Sequence, residues 1–169
     1  MVESSALDNL PRLETLLLAD NGLVKLQPRA LRDLPSLSSL DLHRNRLQVF
    51  SLSAFVNVSR PEAPLSLNAS WNRLAELYSG DTEGAPLYAH TIDLSHNFVA
   101  ELKSKFLAGV GASLRRLHLG HNRVSRLDGH VLAALQSLEL LSLEHNDLVT
   151  VAPRAFQGCD MLQVSTSDE

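Results

Sequence analysis

Apolar residues recur along this chain in a fixed arrangement around six asparagines. Leu13, Leu16 and Leu18 precede Asn21 at offsets −8, −5 and −3, and Leu37, Leu40 and Leu42 precede Asn45 in the same way. Pro64, Leu67 and Ala69 precede Asn72, and Ala89, Ile92 and Leu94 precede Asn97. Leu114, Leu117 and Leu119 then lead to Asn122, and Leu138, Leu141 and Leu143 to Asn146. A period of about 24 residues is that of a repeat array, in which each copy is too small to bury its own apolar face and neighbours complete the core.

The −5/−3 alternation is a period of two and predicts one short strand per copy, its leucines pointing inward. Strands repeated this way form a parallel sheet with neighbours about 4.8 Å apart. After each asparagine, apolar residues return at +2 and +5. Three return segments, 28–34, 53–58 and 153–159, carry Leu31 and Leu34, Phe55 and Val58, and Phe156 and Cys159 at +10 and +13. These predict short helical or 3₁₀ turns on the outer side, with Cys159 as a small buried hydrophobe.

Written out, the pattern is L-x-x-L-x-L-x-x-N-x-L-x-x-L, and over about residues 5 to 162 it resembles the leucine-rich repeat family. The Pro-x-Ala-Phe arc and the stretches "IDLSHN" and "LHLGHN" are similar to the extracellular animal class typified by Toll receptors, Slit and chaoptin. The resemblance implies an α/β solenoid: a curved parallel sheet on the concave face and short helical or 3₁₀ arcs on the convex face. It also implies that each asparagine amide, which both donates and accepts, bonds backbone of its own and the adjoining coil. Repeats are expected at 13–36, 37–63, 64–88, 89–113, 114–137 and 138–161, after a stretch (1–12) ending an earlier repeat or cap and before a polar tail at 162–169. Neither of the cysteine-rich caps usual in this class is seen, so either a piece of a longer array or an array with improvised caps is expected. The segment 78–88 departs from the pattern and is expected to be a mobile surface loop, and Asn72 beside it to tolerate change better than Asn97.

Composition narrows the function. A formal net charge of −4, with 15 basic and 19 acidic residues intermixed, supplies no basic field for nucleic acid or an anionic membrane. No apolar run approaches the roughly 18 residues of a membrane span, and no leader-like start is visible. One cysteine excludes an intrachain disulfide and cysteine-based zinc sites. No phosphate-binding glycine loop, H-E-x-x-H or G-x-S-x-G occurs. A non-catalytic module with no cofactor is expected, either a protein-binding, adhesion or receptor module at the cell surface, or an intracellular structural scaffold. The expected partner is a protein ligand or another cell-surface protein, homophilic pairing included, with a sulfated glycan as a further class; nucleic acid and direct membrane insertion are not expected.

With inward and ladder positions committed, recognition falls to the remaining concave positions: Asp41, His43, Arg44, Trp71, Asp93, His96, Arg116, His118, His121, Glu144 and His145. Residues just before the asparagines form one column: Asp20, Arg44, Trp71, His96, His121 and His145. Its three histidines, with His118, are close enough in sequence register to suggest a shared divalent ion, but a solvated polar face is the reading adopted and no metal ligand is assigned. Trp71 beside Arg44 is the composition of an interface anchor; alternatively it covers a thin core in the third repeat, where Pro64 and Ala69 fill poorly. Arg115, Arg116, Arg123 and Arg126 suggest a local basic cluster. Sequons at Asn57 and Asn68 are candidate glycosylation sites, the first on the convex arc and the second facing the concave side.

Overall fold

The computed structural model describes residues 1–80 and 86–162. Six concave strands, Thr15–Leu17, Ser39–Asp41, Leu65–Asn68, Ala89–Asp93, Arg116–His118 and Leu140–Ser142, lie side by side in chain order as one parallel sheet. Register aligns equivalent residues: Leu16 with Leu40, Leu40 with Leu67, Leu67 with Ile92, Ile92 with Leu117, and Leu117 with Leu141. A side chain at one repeat position therefore sits directly beside its counterpart in the next. The inward leucines, with the +2 and +5 residues and the outer arcs, make one continuous apolar core.

The third repeat packs better than its sequence suggests. Leu65, not Pro64, fills the −8 slot: Leu65 is buried and pairs with Ala89, and the register slips by one residue between Leu65 and Ser66 to allow it. Its core is thus not thin, and Trp71 is not needed to cover it.

Two of the three convex arcs expected as short helical or 3₁₀ turns, 28–34 and 53–58, are instead largely extended, while 153–158 is made of turns. Leu7–Asp8, Leu31–Leu34 and Phe55–Val58 form a second, three-stranded parallel sheet in the first half of the array. An apolar spacing of three, which predicts a helical turn, here arises in extended chain. Asp33 and Asn57 adopt φ of 51° and 53°, and this left-handed residue, tolerated by Asp and Asn, turns the next side chain inward. Leu31 and Leu34 are then both buried, as are Phe55 and Val58. Helical turns do occur at Leu52–Ala54 (3₁₀) and Ser104–Val110 (α). In the last arc Ala155 is buried and Phe156 is exposed, the reverse of the expected inward Phe. Cys159 is buried, its Sγ 3.6 Å from the Leu132 carbonyl, and burial followed by the Asp160 charge raises its pKa.

Of the expected mobile loop, 81–85 lies outside the described residues, as does 163–169 of the expected tail. No helix among the described residues is long and apolar enough to cross a membrane.

Candidate functional site

Each asparagine closes the strand onto the coil beside it. Asn97 Nδ2 donates to the carbonyls of Leu94 and Ser95 in its own repeat and of Ala69 in the preceding one, at 3.0 to 3.1 Å, while Oδ1 accepts from Leu74 N at 2.9 Å. Asn45, Asn72, Asn122 and Asn146 repeat the pattern. Four of the six amides are buried, and no buried side-chain polar atom among the described residues lacks a partner. Asn72 carries the same bonds as Asn97, so the expected difference in tolerance has no geometric basis. Asn21 differs: exposed, it reaches only the Leu18 and Ala19 carbonyls.

One residue earlier, the backbone turns left-handed in every repeat. Asp20, Arg44, Trp71, His96, His121 and His145 all have φ between 50° and 54° or at 55°. That conformation throws each side chain out at the edge of the concave face while the following asparagine points in. With register fixed by the sheet, four successive rings stack. Trp71 lies on His96 with centroids 3.9 Å apart, His96 on His121 at 4.1 Å, and His121 on His145 at 4.3 Å, with planes within 12° to 21° of parallel. Ring nitrogens of such a stack lie side by side in parallel planes and do not converge on a common point. Among the described residues, no three His, Cys, Asp or Glu side chains are gathered to hold a metal ion. Trp71 is 53% exposed, outside the core rather than folded over it.

Charge follows the same column. His121, enclosed by rings on both faces, has its pKa lowered first by desolvation and then by His96 and His145, against an upward pull from Glu144. The Glu144 carboxylate leans back over the fifth repeat, where a Cβ on Gly120 would run into its Oε1. Ser142 Oγ donates to Glu144 Oε2, and this bond heads the causes that lower the Glu144 pKa; the charges of His121 and His118 add to it.

The inner concave positions are less free than spacing alone implies. Asp41 Oδ1 accepts from His43 N at 3.1 Å and lies 2.8 Å from His43 Nδ1, while His43 Nε2 is 3.5 Å from Asp20. Asn68 Oδ1 accepts from Ser70 N and Oγ, and Asp93 Oδ1 from Ser95 N and Oγ. The Asp/Asn-x-Ser/His pairs in the sequence are the signal for Asx-type turns of this kind. Arg44 keeps a loose pair with Asp20 at 3.8 Å. The basic cluster disperses: Arg115 binds Glu139 at 2.9 Å, Arg126 lies 3.4 Å from Asp128, and Arg123 sits over the Phe98 ring at 4.6 Å. Arg116 remains on the concave strand beside Thr91 and Leu140, and His118 beside Asp93 and Ser142.

The sequons also separate. Asn57 is exposed on the convex side, its Nδ2 donating to Asp33 Oδ1 at 2.7 Å. Asn68 is half-buried and closed onto Ser70, the buried hydroxyl of its own sequon.

The leucine rich repeat family profile matches residues 11–74, 89–148 and 112–164. Among solved structures the fold is similar to a leucine-rich repeat protein from Bacteroides eggerthii (17% identity, TM-score 0.67), covering 81% of this chain and 24% of that one. It is also similar to the LRIM1/APL1C complex (23%, 0.61; 92% and 30%) and to the TLR13–ssRNA13 complex (22%, 0.59; 90% and 24%). The chain thus spans about a quarter of these relatives' length. No curated protein matched.

Proposed function

From the premise that the chain belongs to the leucine-rich repeat family, we propose that it is a non-catalytic binding module, of the adhesion or receptor kind, that holds a protein partner against the outer edge of its concave face. The family's fold commonly mediates protein–protein binding, and its members are generally non-catalytic. One observation carries the finer reading: an exposed aromatic ladder headed by Trp71, with Arg44 next in the column and only loosely paired. Trp and Arg at the centre of a patch are the residues on which binding energy concentrates. LRIM1 with APL1C is a protein complex of the same fold, which supports a protein partner. Likeness to the TLR13–ssRNA13 complex gives no support to excluding nucleic acid.

The test retests whatever binds from a panel of cell-surface ectodomains, this chain included for homophilic pairing. Trp71→Ala and Arg44→Ala should each weaken binding by about 1 to 2 kcal/mol, with folding checked separately; Arg154→Ala on the convex side should do little. A partner that tolerates both concave changes contradicts the reading. An extracellular setting is part of the same proposal. Occupied Asn57 in a eukaryotic secretory host supports it, and an unmodified Asn57 favours the intracellular scaffold.

A further inference from the structure

Stacking spends the faces of the histidine rings and leaves their edges. The ring nitrogens of His96, His118, His121 and His145 have no hydrogen-bond partner among the described residues. Each imidazole that takes a proton becomes a cation with two N–H donors. Three of them held with centroids 4.1 and 4.3 Å apart repel one another even through water. The stack must then open or be neutralised along the line of its edges.

The chain's own counter-charge is small. Glu144, placed by Gly120 and Ser142, faces His121 and His118. At the other end Asp20 is occupied with Arg44 and His43, and Asp93 is turned to Ser95. Arg44, next to Trp71 in the column, adds positive charge at that end. One carboxylate does not balance three imidazolium ions. The chain as a whole changes sign on acidification, since seven histidines outnumber a formal net charge of −4.

We infer that the Trp71–His145 column is a proton-dependent anion site for a sulfated glycan, engaged when the imidazoles are charged and released when they are neutral. A sulfate ester stays ionised throughout the imidazole range, whereas a phosphate monoester, with a second pKa near 6, loses charge as the imidazoles gain it. Trp71, half exposed with one face against His96, gives a sugar ring an apolar surface at the end of the line of donors. Protons and sulfates then bind together, because each lowers the cost of the other. The pKa of His121, lowered by desolvation and then by His96 and His145, shifts in the direction this linkage requires. The site goes beyond the protein-binding reading, which concerns Trp71 and Arg44 at neutral pH, and either can fail without the other.

The experiment measures affinity for a heparin-derived hexasaccharide at pH 7.5 and 5.5 at one ionic strength, following the emission of Trp71, the only tryptophan. Binding should be at least about tenfold tighter at pH 5.5. H96N/H121N/H145N, with Asn chosen to keep the left-handed backbone, should reduce that ratio to within about twofold. H90Q/H130N, which removes two histidines outside the column, should preserve it. Should the triple variant misfold, H121N alone serves instead: loss of the central imidazole should cut the pH 5.5 to pH 7.5 affinity ratio at least about threefold. Equal affinity at the two pH values, a pH effect that survives in the folded triple variant, or an unchanged affinity ratio in H121N each overturns the proposal. An octaglutamate peptide that gains more from acidification than the hexasaccharide would reassign the site to an acidic protein segment and overturn the glycan.

Discussion

Two columns run the length of the array one residue apart, and they obey different rules. The asparagine column is invariant in this chain: left-handed backbone just before it turns each amide inward, and each interior amide ties three carbonyls and one N–H of two repeats. The column before it changes from Asp20 to Arg44 to Trp71 and then to three histidines, and faces solvent or half-faces it. Removing an inward amide would leave buried backbone groups without partners, which costs far more than losing an exposed contact. The contrast teaches that the same turn that forces uniformity on one column frees its neighbour to vary.

The contrast is broken most severely by Asn97→Ala, which should destabilise the array by about 1 to 3 kcal/mol in chemical denaturation. Asn72→Ala should cost as much, because its bonds are the same, whereas Asn21→Ala should cost a few tenths at most, about the level of an exposed site. Equal losses at Asn21 and Asn97 would mean that the ladder does not depend on burial.

A smaller effect should appear with pH. The pKa of His121 is lowered in the folded chain, so the unfolded chain binds protons more readily there. Its contribution to stability is present above its unfolded value near 6.5 and is lost as pH falls through the lower folded value. Melting temperature should therefore fall between pH 7 and pH 5 by more in the wild type than in H96N/H121N/H145N. A steeper fall in the triple variant would show that the stack favours charge.

Gly120→Ala should do less still. Its new Cβ meets only the end of the flexible Glu144 side chain, which can swing away, so stability should change little while the His121 pKa drops further for want of its carboxylate. NMR titration of the imidazole reads both the direction and the cause. A marked loss of stability would place a stiffer group over Gly120. Glycosylation carries no stability forecast: Asn57 should be occupied in a secretory host and Asn68, folded onto Ser70, should not, as peptide mass mapping would reveal.

The sheet and its ladder were legible because both depend on position alone. Leu at −5 and −3 and Asn at 0 fix which side chains point inward, whatever lies between. The column's order, with Trp71 between Arg44 and His96, followed from the same count. What spacing did not disclose was conformation. Asp33 and Asn57 hide their left-handed turns behind a helix-like spacing of apolar residues, so the first convex arcs read as helical and are extended. Leu65 displaces Pro64 by a one-residue slip that the strict offsets could not admit. The basic residues around 115–126 looked clustered in sequence, but alternate faces and separate carboxylates draw them apart. Face-to-face stacking of the rings depends on the positive φ before each asparagine, and no offset encodes that directly.

Residues 96 and 97 set the two columns side by side in one peptide, and comparing their substitutions tests the division most directly. Denaturant unfolding of His96→Asn, which keeps a residue tolerant of positive φ, and of Asn97→Ala should give losses of less than about 0.5 kcal/mol and at least about 1 kcal/mol respectively. A loss at His96 equal to or greater than that at Asn97 would contradict the account, since the exposed column would then be holding the fold together.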